Sequence, residues 1–290
     1  MALPSSIPTL TDPDRLAGWL SEPGVRVLDA SWYLPQARRD PDAEFLAAHV
    51  PGAVFFDLDA SSDPATVLPH MLPSAERFAA RMESLGVSDD DLIVAYDSSG
   101  TNVSAGRVWW MLRTFGHQRT TVLDGGFQRW RREGRPVESG PQNLPPGRFH
   151  AQLNRCAVRD LAAVRQAVHS GAIQIVDARS QGRFEATTPE PRPGLRGGHL
   201  PGSRSLPHQE LVGPDGRLLP TAELRRRFSA AGIDVGRPVI LSCGSGVSAC
   251  ALALALDQLG AEAVSVYDGS WSEWGACEDT PVETGPASPA

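Results

Sequence analysis

Short runs of Val, Ile and Leu alternate with helix-length amphipathic segments along almost the whole chain. Continuous apolar runs of strand length suit strands buried on both faces, and their alternation with helices is the pattern of a parallel sheet covered by helices. The clearest instance is VILSCGSGVSACALALAL (Val239 to Leu256), which predicts a buried strand, a loop of small residues opened by Cys243, and an apolar helix. The predicted fold class is therefore α/β, with parallel sheets flanked by helices.

The pattern occurs twice. VLDASW (Val27 to Trp32) matches IVDARS (Ile175 to Ser180), and HVPGA at His49 matches HLPGS at His199. LPSAERFAARMESLGV from Leu72 matches LPTAELRRRFSAAGID from Leu219, and SAGRVWWMLRTFG from Ser104 matches SACALALALDQLG from Ser248. LDGGFQRW (Leu123 to Trp130) matches YDGSWSEW (Tyr267 to Trp274). The separation drifts only from 150 residues at His49/His199 to 144 at Trp130/Trp274, so the chain is a tandem duplication. The Pro/Gly-rich segment from Ser139 to Asn154 interrupts the repeat and reads as a linker. The division predicted is a first domain over 8–139, a linker over 140–154 and a second domain over 155–285. In the DGG and DGS elements, Asp and Gly read as turn residues and Trp as a packing anchor.

Candidate chemistry concentrates on Cys243. The N–H groups of a small-residue loop, together with the positive end of the following helix, favour thiolate over thiol. An isolated cysteine is commonly an inert core residue, but Gly244 and Gly246 set this one apart, because they allow positive φ and close backbone approach. Ser245 and Ser248 add hydroxyls to the same loop. Aligning AYDSSG (Ala95 to Gly100) on LSCGSG (Leu241 to Gly246) puts Asp97 opposite Cys243, and a carboxylate cannot carry sulfur. Catalysis is thus predicted in the second copy alone. A dinucleotide-binding reading of Gly244-x-Gly246-x-x-Ala249, with Asp268 as the ribose acid, needs further strands. Only 22 residues follow Asp268, and the tail VETGPASPA reads as disordered.

Composition narrows the setting. The 290 residues suffice for two cores, and the formal charge of −7 argues against nucleic acid. All 27 basic residues are arginine. Four cysteines without CxxC or metal spacing fit a reducing compartment, and no apolar stretch approaches a membrane span. MALPSSIPTLTDPDR has neither a basic leader nor an apolar signal core. The expectation is a cytoplasmic protein with no metal, no organic cofactor, and neither membrane nor nucleic acid as partner.

Several stretches together resemble the tandem-domain rhodanese family of sulfurtransferases over roughly residues 8 to 285. They are LDASWYLP (Leu28 to Pro35), HMLP (His70 to Pro73), DARSQGRFEATTPEPRPG (Asp177 to Gly194), CGSGVSA and DGSWSEW. The cysteine loop is similar to the CGSGVTA loop of the branch that uses 3-mercaptopyruvate. Thiosulfate-using members carry CRKGVTA, with basic residues where Gly244 and Ser245 stand here. The resemblance implies that Cys243 takes sulfane sulfur from 3-mercaptopyruvate as a persulfide and passes it to a small thiol, thioredoxin or cyanide.

It further implies that Arg183 and Arg192 bind the donor, with Gly244, Gly246, Val247 and Ser248 completing the binding loop. A proton relay would fall on Ser245, His70 and Asp59, on the logic of a carboxylate orienting an imidazole that acts through a hydroxyl. Thiosulfate:cyanide transfer and a non-enzymatic persulfide carrier are the alternatives. A Cys-x5-Arg phosphatase lacks its cation, because Ala249 holds that position.

Overall fold

The computed structural model describes residue 4 and residues 6–287. Each repeat builds one five-stranded, wholly parallel sheet. In the first, β1 (Leu10–Thr11), β2 (Val25–Asp29), β3 (Ala53–Phe55), β4 (Leu92–Tyr96) and β5 (Thr120–Leu123) lie in the order β1-β5-β4-β2-β3. In the second, β6 (Val158–Arg159), β7 (Gln174–Asp177), β8 (Arg204–Ser205), β9 (Val239–Ser242) and β10 (Val264–Tyr267) repeat that order as β6-β10-β9-β7-β8. The helices of the first copy are α1 (Pro13–Trp19), α2 (Pro41–Ala47), α3 (Ala75–Ser84), α4 (Val103–Thr114) and α5 (Gly126–Arg132). Those of the second are α6 (Leu161–Ser170), α7 (Gln181–Phe184), α8 (Thr221–Ala230), α9 (Ala249–Gln258) and α10 (Ser270–Trp274). The predicted strand, loop and helix around Cys243 are β9, residues 243–248 and α9. α9 is apolar on every side because Ala249 through Leu256 are all buried.

The repeated motifs fold alike. His49 and His199 each turn Nδ1 to a carbonyl, Phe45 O at 2.8 Å and Phe184 O at 2.9 Å, and stack on that same phenylalanine. Trp130 and Trp274 are fully buried anchors whose indole N–H groups donate to Pro136 O (2.7 Å) and Pro281 O (2.8 Å). Truncating such a side chain to Ala costs about 3–5 kcal/mol. The tail departs from its predicted disorder: Glu283 exchanges backbone bonds with His199 and Val282 packs on the core. A local composition reading cannot see a partner 84 residues away. Residues 288–290, the end of that tail, lie outside the described residues.

The chain divides into two compact units that do not follow the repeat boundary cleanly. The first holds residues before 65, residues 73–154 and 214–218; the second holds 65–72, 155–213 and 219 onward. The segment 140–154 runs along the first unit, with Gly147 N, Gln152 N and Asn154 N donating to Glu83 O, Phe115 O and Thr114 O. Each unit secures its borrowed peptide with the Asp of its DGG or DGS element. Asp124 accepts from Leu218 N at 2.8 Å, and Asp268 accepts from Leu72 N at 2.7 Å. These aspartates therefore do more than turn the chain.

One difference between the copies has a pH consequence. Asp177 at the end of β7 is paired with Arg179, whereas its counterpart Asp29 has Ser31 at the arginine's place. Burial, the dominant influence, pushes Asp29 up to about 6 against the lowering pull of its Ser31 hydrogen bonds. A raised folded pKa stabilises the protonated form, so this contribution is complete below about pH 4 and is lost as pH rises through about 6. Asp29→Asn should gain stability relative to the parent by up to about 3 kcal/mol over that window. Denaturant unfolding at about pH 4.5 and about pH 7.5 measures it, and a pH-independent difference would assign the effect to another group.

Candidate active site

Cys243 leaves the carboxyl end of β9 and is 1% exposed. The loop that follows is small because its backbone must turn beside α10 and leave its amides available. Gly246 takes φ +75°. Among the described residues, the amides of Gly244, Ser245, Val247 and Ser248 meet no acceptor, so the loop that follows Cys243 keeps four backbone donors unspent. Cys243 O and Gly244 O face the other way and accept from Trp271 N (3.0 Å) and Ser272 N (2.8 Å).

A second serine organises the loop from beneath. Ser270 Oγ accepts from Cys243 N and Gly246 N, both at 3.1 Å, and directs its proton to Tyr267 O at 2.7 Å. The same oxygen lies 4.0 Å from Cys243 Sγ. Ser270 does this from φ 50°, a conformation in which non-glycine residues are strained and which clusters at functional sites. In the sequence Ser270 is only the last residue of the DGS turn element, with no role assigned to it. The signal that could have found it is the change from DGG to DGS between the copies. Gly126 stands at the matching place with φ +55°, and a Cβ there would meet Asp97 O at 2.3 Å.

The first unit shows what the loop does without a cysteine. Asp97, fully buried, folds its carboxylate back into its own loop. Oδ1 accepts from Ser99 N (2.8 Å) and Ser99 Oγ (2.6 Å), and Oδ2 from Ala105 N (2.9 Å) and Ser104 Oγ (3.2 Å). These loop donors are spent on a carboxylate of the protein itself.

Around Cys243 the second unit assembles three of the predicted residues. Ser245, nearly buried, lies 2.9 Å from Nδ1 of the buried His70, which the borrowed peptide 65–72 delivers at φ 61°. Arg183 on α7 also reaches the loop: a Cβ on Gly244 would stand 2.8 Å from its Nη2. Glycine at 244 is thus what admits the guanidinium. Arg183 is held by Glu190, Nη2 to Oε2 at 2.6 Å and Nε to Oε1 at 3.2 Å. Behind it Arg179 is fully buried, bonded to both oxygens of Asp177 and to Glu190, and stacked 4.4 Å over Trp271. Desolvation works to discharge Arg179, but the two carboxylates outweigh it and raise its pKa.

Arg192 is half-buried in the irregular loop after α7. Asp59 belongs to the first unit, where Oδ2 accepts from Trp32 Nε1 at 3.1 Å. Cys250 lies beneath the loop with Sγ donating to Gly246 O at 3.1 Å, and no disulfide joins the four cysteines. Among the described residues, no cluster of His, Cys, Asp or Glu could hold a metal, and no helix is long and apolar enough to cross a membrane.

Comparison with known proteins places this geometry in context. The rhodanese-like domain family matches residues 12–133 and again 160–277. The chain is 46% identical over 271 residues to the 3-mercaptopyruvate sulfurtransferase of Escherichia coli K12, covering 93% of this chain and 96% of that one. It is 44% identical over 266 residues to the thiosulfate sulfurtransferase of Bos taurus, covering 88% and 89%. The crystal structure of SseA from Escherichia coli, described as a 3-mercaptopyruvate sulfotransferase, superposes with a TM-score of 0.84 at 42% identity, covering 91% of this chain and 98% of that one.

Proposed function

The chain belongs to the rhodanese-like family, and from that premise we propose that it is a 3-mercaptopyruvate sulfurtransferase working through a persulfide on Cys243. Identity alone separates the two donors poorly, since the mercaptopyruvate and thiosulfate enzymes match at 46% and 44%. The observation that carries the choice is the space above Gly244, filled by the Arg183 guanidinium where a thiosulfate-type loop would carry its own basic side chain. A single fork-shaped cation suits a planar monocarboxylate, and two cations beside the sulfur suit a dianion.

In the proposed cycle, Cys243 thiolate attacks the donor's sulfur, the new S–S bond forms, and the donor's C–S bond breaks. Its electron pair passes to the organic fragment as the enolate of pyruvate, which takes up a proton. Arg183 and Arg192 hold the carboxylate and keto oxygen, while the amides of Gly244, Ser245, Val247 and Ser248 stabilise charge at sulfur. A small thiol, thioredoxin or cyanide then attacks the outer sulfur and releases Cys243 as thiolate. The 2.9 Å contact between His70 and Ser245 supports the relay as the proton path to the enolate. Asp59 enters that relay from the family pattern. A reducing compartment such as the cytoplasm would keep the thiol competent.

Steady-state rates with 3-mercaptopyruvate, thiosulfate and a phosphate ester, measured in parallel with cyanide as acceptor for the sulfur donors, test the assignment. The expected kcat/KM is highest for 3-mercaptopyruvate, with no phosphate release. Preference for thiosulfate, or sulfur binding without turnover, would replace it.

A further inference from the structure

Glu190 joins the donor arginine to the buried scaffold. Its side chain is 2% exposed, and it meets Arg179 Nη1 at 2.7 Å as well as both Arg183 nitrogens described above. Asp177, Arg179, Glu190 and Arg183 alternate in sign, so the formal charges of this buried chain cancel. A guanidinium has two edges that can bind bidentately. Glu190 occupies the side edge of Arg183, Nε with Nη2, and leaves the end edge beside Gly244, whose ideal Cβ would stand 2.8 Å from Nη2 and 3.7 Å from Nη1.

The first unit carries an independent version of the clamp. Glu44 holds the side edge of Arg39, Nε at 2.7 Å and Nη2 at 2.6 Å, and Arg39 Nη1 donates to Ser98 O at 3.2 Å. Ser98 follows Asp97 as Gly244 follows Cys243. In the copy without a nucleophile, part of the end edge is spent on the loop's own carbonyl. In the copy with one, Arg183 makes no such bond among the described residues.

The geometry points to Glu190 as a positioning residue that sets donor specificity. It aims the end edge of Arg183 at a planar monocarboxylate, and it cancels one positive charge of the cluster, which weakens the field that a compact dianion meets. The inference rests on the sulfurtransferase reading. Each added unit of net positive charge near the sulfur favours a dianion over a monoanion, because the Coulomb term scales with ligand charge.

Glu190→Gln keeps the shape and removes the charge. The ratio of kcat/KM for 3-mercaptopyruvate to that for thiosulfate should fall about tenfold, chiefly through a lower KM for thiosulfate, with thiosulfate use becoming more sensitive to salt. Glu190→Asp keeps the charge and shortens the reach, so it should raise KM for 3-mercaptopyruvate and leave thiosulfate as poor a donor as before. A Gln variant with the parent's donor ratio and salt dependence overturns the proposal, as does an equal loss for both donors. So does an Asp variant that gains thiosulfate use, which keeps the test decisive if the Gln variant does not fold. A parent protein that fails to turn over 3-mercaptopyruvate removes the 3-mercaptopyruvate sulfurtransferase reading instead.

Discussion

Cys243→Ser should lower sulfur transfer by roughly 10⁴-fold or more, because a serine hydroxyl is far less acidic than a thiol and cannot store sulfane sulfur. The fold should survive, since the exchange changes one buried atom and leaves the amides of 243 and 246 on Ser270. Mass spectrometry after 3-mercaptopyruvate treatment should find one added sulfur on the peptide containing Cys243 and none on those containing Cys156 or Cys277. Cys250 shares the tight loop region, so its separate substitution by Ala should leave the persulfide in place. Persulfide on another cysteine, or activity retained in Cys243→Ser, would end the proposed chemistry.

Arg183→Ala should raise the KM for 3-mercaptopyruvate by roughly 10- to 150-fold, the worth of about 1.5–3 kcal/mol for charge-assisted hydrogen bonds. Glu190 would keep Arg179 as partner at 2.7 Å, so no buried carboxylate is stranded and the loss should appear in donor kinetics rather than in stability. Arg183→Lys should recover little, because a point charge cannot present one edge to Glu190 and another to the donor. An unchanged KM in the Ala variant would mean that Arg183 does not bind the donor carboxylate.

Two parallel sheets flanked by helices, and the strand, loop and helix around Cys243, were legible from apolar periodicity and from the duplication; the order of the strands was not. The repeat also put Asp97 opposite Cys243, and in the structure that carboxylate is buried and bonded within its own loop. Local pattern went no further, because it records which faces are buried and where the backbone can turn, and it carries no distances.

Ser270 illustrates the limit. Nothing in DGSWSEW distinguishes a turn serine from one whose oxygen holds two loop amides at 3.1 Å, since the partners lie 27 and 24 residues away. Glu190 is another case, one acid in a charged loop until burial leaves it between two guanidinium groups. The exchanged peptides are a third, because the amide of Leu72 finds Asp268 only after 196 residues of chain have folded. Residue types and their spacing determined the two α/β copies and the place of Cys243 at the head of a glycine-rich loop before a helix, through periodic burial and local turn preference. The serine beneath that loop, the clamp on Arg183 and the delivery of His70 to Ser245 were decided by tertiary structure alone, because each is a long-range pairing of polar groups that burial leaves no other way to satisfy.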